Sequence, residues 1–205
     1  MLTIGVELNH VVRNINKQII KYYAKEFSLE TDIDEIDDKE DVFKTFAKFN
    51  SNYEKNNFIY IDYPFELFAS SRPMESKLPT QINNWMVELG NREDEEIRVV
   101  YYSLYEEALT IQSTYFFLSK IGTRVREVFF PKELDEIWKH CDVVITSNKE
   151  VLDDKPSNKQ TVKIINNGNK NDGSIGDFEY DSLTSIVKDE KFIDKILENA
   201  KKENN

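Results

Sequence analysis

Hydrophobic and polar positions along this chain switch between two rhythms. Residues 2 to 8, LTIGVEL, alternate and then run apolar, as a buried strand does. Behind them Ile15, Ile19, Ile20, Tyr23 and Phe27 recur at helical spacing, so the chain is predicted to open as strand, short polar turn and helix. Ser28 or Thr31 is a fitting N-cap for a following helix whose apolar face is Val42, Phe43, Phe46 and Phe49. The aromatic stretch NFIYIDYPFELF fits a strand or an extended arm leading to Pro64, with its rings read as core or buried interface. A helix is predicted from Thr80 to its stop at Gly90, and NREDEE reads as a solvated linker.

From residue 97 an α/β rhythm takes over. Strands are predicted at 97 to 104, 125 to 130, 142 to 148 and 160 to 165, with helices at 105 to 122 and 132 to 141 between them. Alternation of this kind implies parallel pairing and right-handed crossovers. The NNGNKNDGSIGD segment is a polar, Gly-rich loop, and one or two helices follow it. That loop carries neither of the glycine patterns of dinucleotide or nucleotide phosphate binding, so it reads as surface. No internal repeat is present.

Bulk properties narrow the function classes. The chain has 205 residues, enough for one domain with an inserted cap, and 40% hydrophobic content supports a sizeable core. A net charge of -11 argues against a broad nucleic-acid surface, which depends on clustered Lys and Arg. Cys141 is the only cysteine, which excludes an intrachain disulfide and a Cys-rich zinc site. The N-terminus lacks a basic region ahead of its apolar run, and no stretch is long and apolar enough to span a membrane, so a soluble protein of the cytoplasm or of a virion is expected. The acidic run after Thr31 fails as a calcium loop: counting from Asp32, the sixth residue is Asp37 and the twelfth Phe43, where glycine and glutamate are required. It reads as a solvated helix start.

Three short stretches carry the candidate chemistry: IGVELNHVVRN at the first strand, RVVYYSL at the second and CDVVITSN at a later one. Their order resembles the haloacid dehalogenase superfamily, in particular its 5'(3')-deoxyribonucleotidase-like members. The resemblance implies a Rossmann-like, three-layer parallel α/β core formed by residues 1–14 and 97–205, with a helix-rich cap at 15–96. In that family the first strand ends in D-x-D-G-V, and its two aspartates serve as nucleophile and general acid/base. Those places fall here on Glu7 and Asn9, and the motif glycine on His10. Ser103 matches the phosphate-binding Ser or Thr of the second motif, whereas Lys132 and Lys139 both miss the spacing of the motif lysine. The acidic pair that would hold Mg²⁺ falls on Thr146 and Ser147, while Asp142 lies at the far, buried end of its strand.

These exchanges remove specific chemistry. A glutamate nucleophile displaces the attacking oxygen by more than about 1 Å, and in-line attack depends on positioning at that scale. An asparagine cannot exchange a proton near neutral pH. Magnesium wants anionic oxygen ligands, and Glu7 is the only carboxylate the motifs retain. The expectation is a catalytically inactive domain without cofactor or metal. It would serve as a structural or assembly protein with protein partners or copies of itself, of the kind found in the neck or tail ring of tailed-phage virions. Aromatics from Phe58 to Phe68 and Trp85 are the expected partner anchors. The alternatives are a divergent Mg²⁺-dependent nucleotidase using Glu7 and, third, a module that binds nucleotide or phosphate near Ser103 without turning it over. His10 and His140, without a G-x-S-x-G elbow, offer no serine-hydrolase reading. Cys141 next to His140 is read as a buried structural thiol; Glu106 and Glu107 follow Ser103 and are within reach of the site mouth, but the preferred reading is of helix-start acids.

Overall fold

The structure, a computed structural model, describes residues 1–29, 48–93, 95–166 and 169–203. The helix expected on Val42, Phe43 and Phe46, and the acidic run before it, lie outside these residues. Strand β1 (Leu2–Glu7) is followed by a tight turn and the two-residue strand β2 (Arg13–Asn14), then helix α1 (Ile15–Glu26). Helix α2 (Asn52–Asn57) continues into two wide turns, Phe58–Asp62 and Phe65–Ala69, before strand β3 (Arg72–Pro73) and helix α3 (Leu78–Gly90). Strand β4 (Ile97–Tyr102), helix α4 (Ala108–Ile121), strand β5 (Val128–Phe129) and helix α5 (Leu134–His140) come next. The chain ends with β6 (Val143–Thr146), α6 (Lys149–Asp153), β7 (Gln160–Ile164), β8 (Phe178–Tyr180), α7 (Leu183–Lys188) and α8 (Phe192–Glu203).

Six strands form one parallel sheet in the order β5-β4-β1-β6-β7-β8. Successive strands are added on one side of β1 and then on the other, the doubly wound arrangement, whose reversal point lies between β1 and β6. Alternate residues bury against opposite helical layers. Ile4, Val6, Val99, Tyr101, Val143 and Ile145 share a cluster with residues of α3, α4, α7 and α8. Val100, Tyr102 and Val144 pack on the other face with Ile137, Trp138 and Cys141 of the α5 region and Val151 of α6. Both faces are covered, as near-continuous apolar strands require.

Gly5 is where that second face comes closest to the sheet. A Cβ there would stand 2.5 Å from Cys141 Sγ and 3.3 Å from Cys141 Cβ. Gly5→Ala is therefore expected to cost about 1–3 kcal/mol by overpacking. Urea denaturation would measure it, and Cys141→Ala in the same chain should recover part of the loss. A cost near zero would mean that α5 can move off the sheet.

The described residues between β2 and β3 form a helical excursion whose entry and exit strands pair antiparallel, Arg13 with Pro73 and Asn14 with Arg72. Its interior is a separate cluster of Ile15, Ile19, Ile20, Tyr23, Phe58, Ile59, Leu67 and Phe68. The aromatic stretch here is helical rather than extended, with i→i+5 bonds from Tyr63 N to Phe58 O and from Ser70 N to Phe65 O. Such turns bury Phe58 and Phe68 on one side, so these two rings are core and not partner anchors. Trp85 is also buried, and with Leu78, Ile82 and Leu89 it places α3 in the main core and not with the excursion. No helix among the described residues is long and apolar enough to cross a membrane.

Candidate functional site

The carboxyl ends of β1, β4 and β6 meet at the reversal point of the sheet, the position where open α/β sheets bind ligands. Glu7, Asn9, Ser103, Thr146 and Ser147, five positions singled out in the sequence, all lie on these ends or in the turns that follow. Glu7 pairs in register with Tyr102, and Val6 with Ile145. After β1 the backbone folds back at once, with Val12 N and Arg13 N both donating to Leu8 O at 3.0 and 2.7 Å. His10 takes a left-handed conformation in this turn, φ 65°, where a glycine is the unstrained choice.

Two separate hydrogen-bonded groups occupy the site. The first surrounds Glu7. Its Oε2 accepts from the Thr146 hydroxyl at 2.5 Å and from the Ser147 N–H at 3.2 Å. Thr146 Oγ1 in turn accepts from Asn148 N at 2.9 Å. Burial pushes the Glu7 carboxyl up to about 7, partly opposed by the donors of Thr146, Ser147 and Asn148. Burial and the Glu7 charge hold the Tyr102 phenol well above its ordinary range, so it supplies no second proton exchanger near neutrality. His10 is pushed down to about 4 by burial and by Arg13, and is neutral at physiological pH.

The second group is built on Arg13, whose guanidinium is 0% exposed. Nη2 lies 2.6 Å from Glu106 Oε1, Nη1 donates to Thr114 Oγ1 at 2.6 Å, and Nε and Nη2 both donate to Asn9 Oδ1 at 2.9 and 2.7 Å. Glu106 is equally buried. Its Oε1 also accepts from Ser103 Oγ and its Oε2 from Thr114 Oγ1, each at 2.6 Å. Asn9 Nδ2 donates to Ser103 Oγ at 3.2 Å, which closes the ring of contacts. Phe68 and Phe117 flank the guanidinium, with ring centroids 4.8 and 5.4 Å away. One ring belongs to the excursion and the other to α4, so Arg13 is gripped from both bodies. Lys120 Nζ adds a second tie, donating to Ala69 O and Ser71 O at 2.7 and 2.9 Å.

Of the two lysines left open by spacing, Lys132 reaches this site and donates to Glu106 O at 2.5 Å. Lys139 pairs with Asp135 on the surface. Asp142 lies at the opposite, amino end of β6, where it accepts from Thr3 N and Lys159. It is half-exposed rather than buried, since its carboxylate faces Lys159 at the amino-terminal end of the sheet. Glu106 overturns its reading as a helix-start acid: Glu107 is the cap of α4, and Glu106 turns inward to Arg13.

Arg13 and Thr114 were missed in the sequence as site residues, and Glu106 was named there but not as the partner of Arg13. The available signal was a cation directly behind the buried pair Val11–Val12.

A resident Mg²⁺ of the kind the resemblance implies does not fit these residues. Thr146 and Ser147 aim protons at Glu7, whereas a cation there needs lone pairs aimed at it. Among the described residues no group of three or more His, Cys, Asp or Glu stands close enough together to hold a metal.

A phosphate fits no better as the site stands. The donors that would receive it are already engaged: Ser103 and Thr114 by the Glu106 carboxylate, and Arg13 by Glu106, Thr114 and Asn9.

The loop after β7 packs over the β6 side of this site. Buried Lys163 donates to Asn169 O and Ser174 O at 2.9 and 2.7 Å, and Asn169 Nδ2 donates to Ser147 O at 3.1 Å. No protein-family model matches this sequence, and no curated protein matches it either.

Proposed function

We propose that this chain is a catalytically inactive α/β domain of the haloacid dehalogenase type whose role is structural, as a component of a protein assembly. The observation that carries the proposal is the position of Glu106. Its carboxylate takes three side-chain donors that a phosphoryl group would need, from Ser103, Arg13 and Thr114. An internal anion with fully buried, matched donors competes with free phosphate as an intramolecular group, at an effective concentration set by the fold. The exchange of the general acid for Asn9 points the same way: its amide is engaged on both sides, by Arg13 and by Ser103. Arg13 between Phe68 and Phe117 ties the helical excursion to the core, which suits a rigid building block better than a cap that must open for substrate.

One observation favours a second reading, a divergent nucleotidase. Glu7 remains at the reversal point, with its carboxyl pushed to about 7 where acid/base groups work best. Turnover of a panel of nucleoside monophosphates, with and without Mg²⁺, separates the two. The structural reading expects no phosphate release above that of a Glu7→Gln control. Release that requires both Mg²⁺ and Glu7 would make the chain an enzyme.

A further inference from the structure

We propose that the outer face of helix α4 is a self-association surface whose partner is a second copy of this chain. The inference names the partner for the assembly reading above and rests on it for its biological sense. Leu109, Tyr115 and Phe116 are each about half exposed on this helix, at 51%, 52% and 51%. Phe65 and Ile61 of the helical excursion, 49% and 60% exposed, extend the apolar surface; the Phe65 and Phe116 ring centroids are 5.2 Å apart. Tyr115 meets Phe130 at 5.7 Å on the other side, carrying the patch to the segment behind β5.

This face carries little charge. Nearly a third of the chain is Asp, Glu, Lys or Arg, and the exposed positions of α1 and α8 follow suit with Lys21, Lys25 and Glu26, and with Asp194, Lys195 and Glu198. The exposed positions of α4 are Ala108, Leu109, Gln112, Tyr115, Phe116 and Ser119, with Lys120 the single charge. Lys120 is spent on Ala69 O and Ser71 O.

Charge also decides who the partner is. Two copies carrying -11 each repel across most contacts, and an uncharged face is where that repulsion costs least. With Lys120 spent, an acidic partner would find no free cation on α4. Leu109, Gln112 and Phe116 follow i, i+3, i+7 spacing, the ridge one helix lays into the groove of another. In an antiparallel pair about a two-fold axis, Leu109 of each copy meets Phe116 of the other, and Gln112 falls near the axis. A carboxamide both donates and accepts, so Gln112 can bond to its own copy, as a two-fold contact requires.

Size is compatible. Half-exposed side chains of this bulk leave roughly 100 Å² each, so the five together present on the order of 500 Å², most of the roughly 800 Å² per partner of a standard interface. The neighbouring sheet edge offers less, since β5 has only two residues to pair.

Sedimentation velocity on the full chain, across micromolar concentrations, tests the proposal. A species of twice the 24.1 kDa chain mass is expected. Phe116→Lys and Gln112→Glu, both at exposed positions, should each weaken it at least tenfold, with unchanged circular dichroism as the check on folding. A chain that stays monomeric throughout overturns the proposal, as does a dimer that neither substitution weakens. Neither outcome bears on phosphatase turnover, so failure here is distinguishable from failure of the structural reading.

Discussion

Arg13→Met and Glu106→Leu are each expected to destabilise the protein by about 3–5 kcal/mol, because either change leaves one buried, hydrogen-bonded charge without its counter-ion. Such a loss is a large part of the stability of a domain of this size, so each variant should unfold at markedly lower urea concentration. The double variant is the informative one. Removing both charges leaves an apolar space between Phe68 and Phe117, and the combined cost should fall well below the sum of the two. Ser103 and Thr114 would then have lost their carboxylate acceptor, which keeps the recovery partial. Single-variant costs below about 1 kcal/mol would place the pair among surface-type ion pairs and remove its structural role.

Glu7→Gln is expected to stabilise the protein above neutral pH. The folded-state pKa of Glu7 is about 7 against an ordinary 4.5, so the native state keeps a proton that the unfolded chain has lost. The contribution of Glu7 to stability is full below about pH 4.5, declines as pH rises towards 7 and is absent above it. A gap of about 2.5 pH units at 1.36 kcal/mol each is on the order of 3 kcal/mol, or roughly 5–10 °C in Tm for a chain this long. Thr146 and Ser147 both donate to Oε2, and the carbonyl oxygen of a glutamine accepts both. Melting curves from pH 4.5 to pH 8 should therefore converge in acid and separate in base, with the variant higher. A wild type that gains stability through that range would mean that Glu7 faces a cation.

How much of this was legible in the sequence depended on how local each signal is. The apolar runs at 2 to 8, 97 to 104 and 142 to 148 are local signals and marked strands β1, β4 and β6. Glu7, Asn9, Ser103, Thr146 and Ser147 were singled out through the motif resemblance, and they lie at or just past the carboxyl ends of those strands. Strand β8 was lost inside a polar region because three residues at a sheet edge, Phe178–Tyr180, carry too little periodicity. The wide turns between Phe58 and Ala69 read as extended because their spacing matches neither the strand nor the α-helix period.

The central contact of the site was out of reach for a different reason. Arg13 and Glu106 are 93 residues apart, and each alone resembles an ordinary surface charge. Only the fold brings them together, and their pairing reverses the meaning of Ser103. A residue read as a phosphate ligand proves to be the donor to an internal carboxylate.

The proposal that Glu106 takes the place of an external anion is tested most directly by inorganic phosphate. Thermal unfolding of the wild type and of Glu106→Ala, each against rising phosphate, is the measurement. In the wild type the anion position is already filled, so Tm should show no saturable rise. In Glu106→Ala, Arg13, Ser103 and Thr114 face a vacated position, and phosphate should restore part of the lost stability in proportion to its occupancy. Saturable stabilisation of the wild type, at least as large as that of the variant, would contradict the filled site and return this fold to the phosphate-handling proteins.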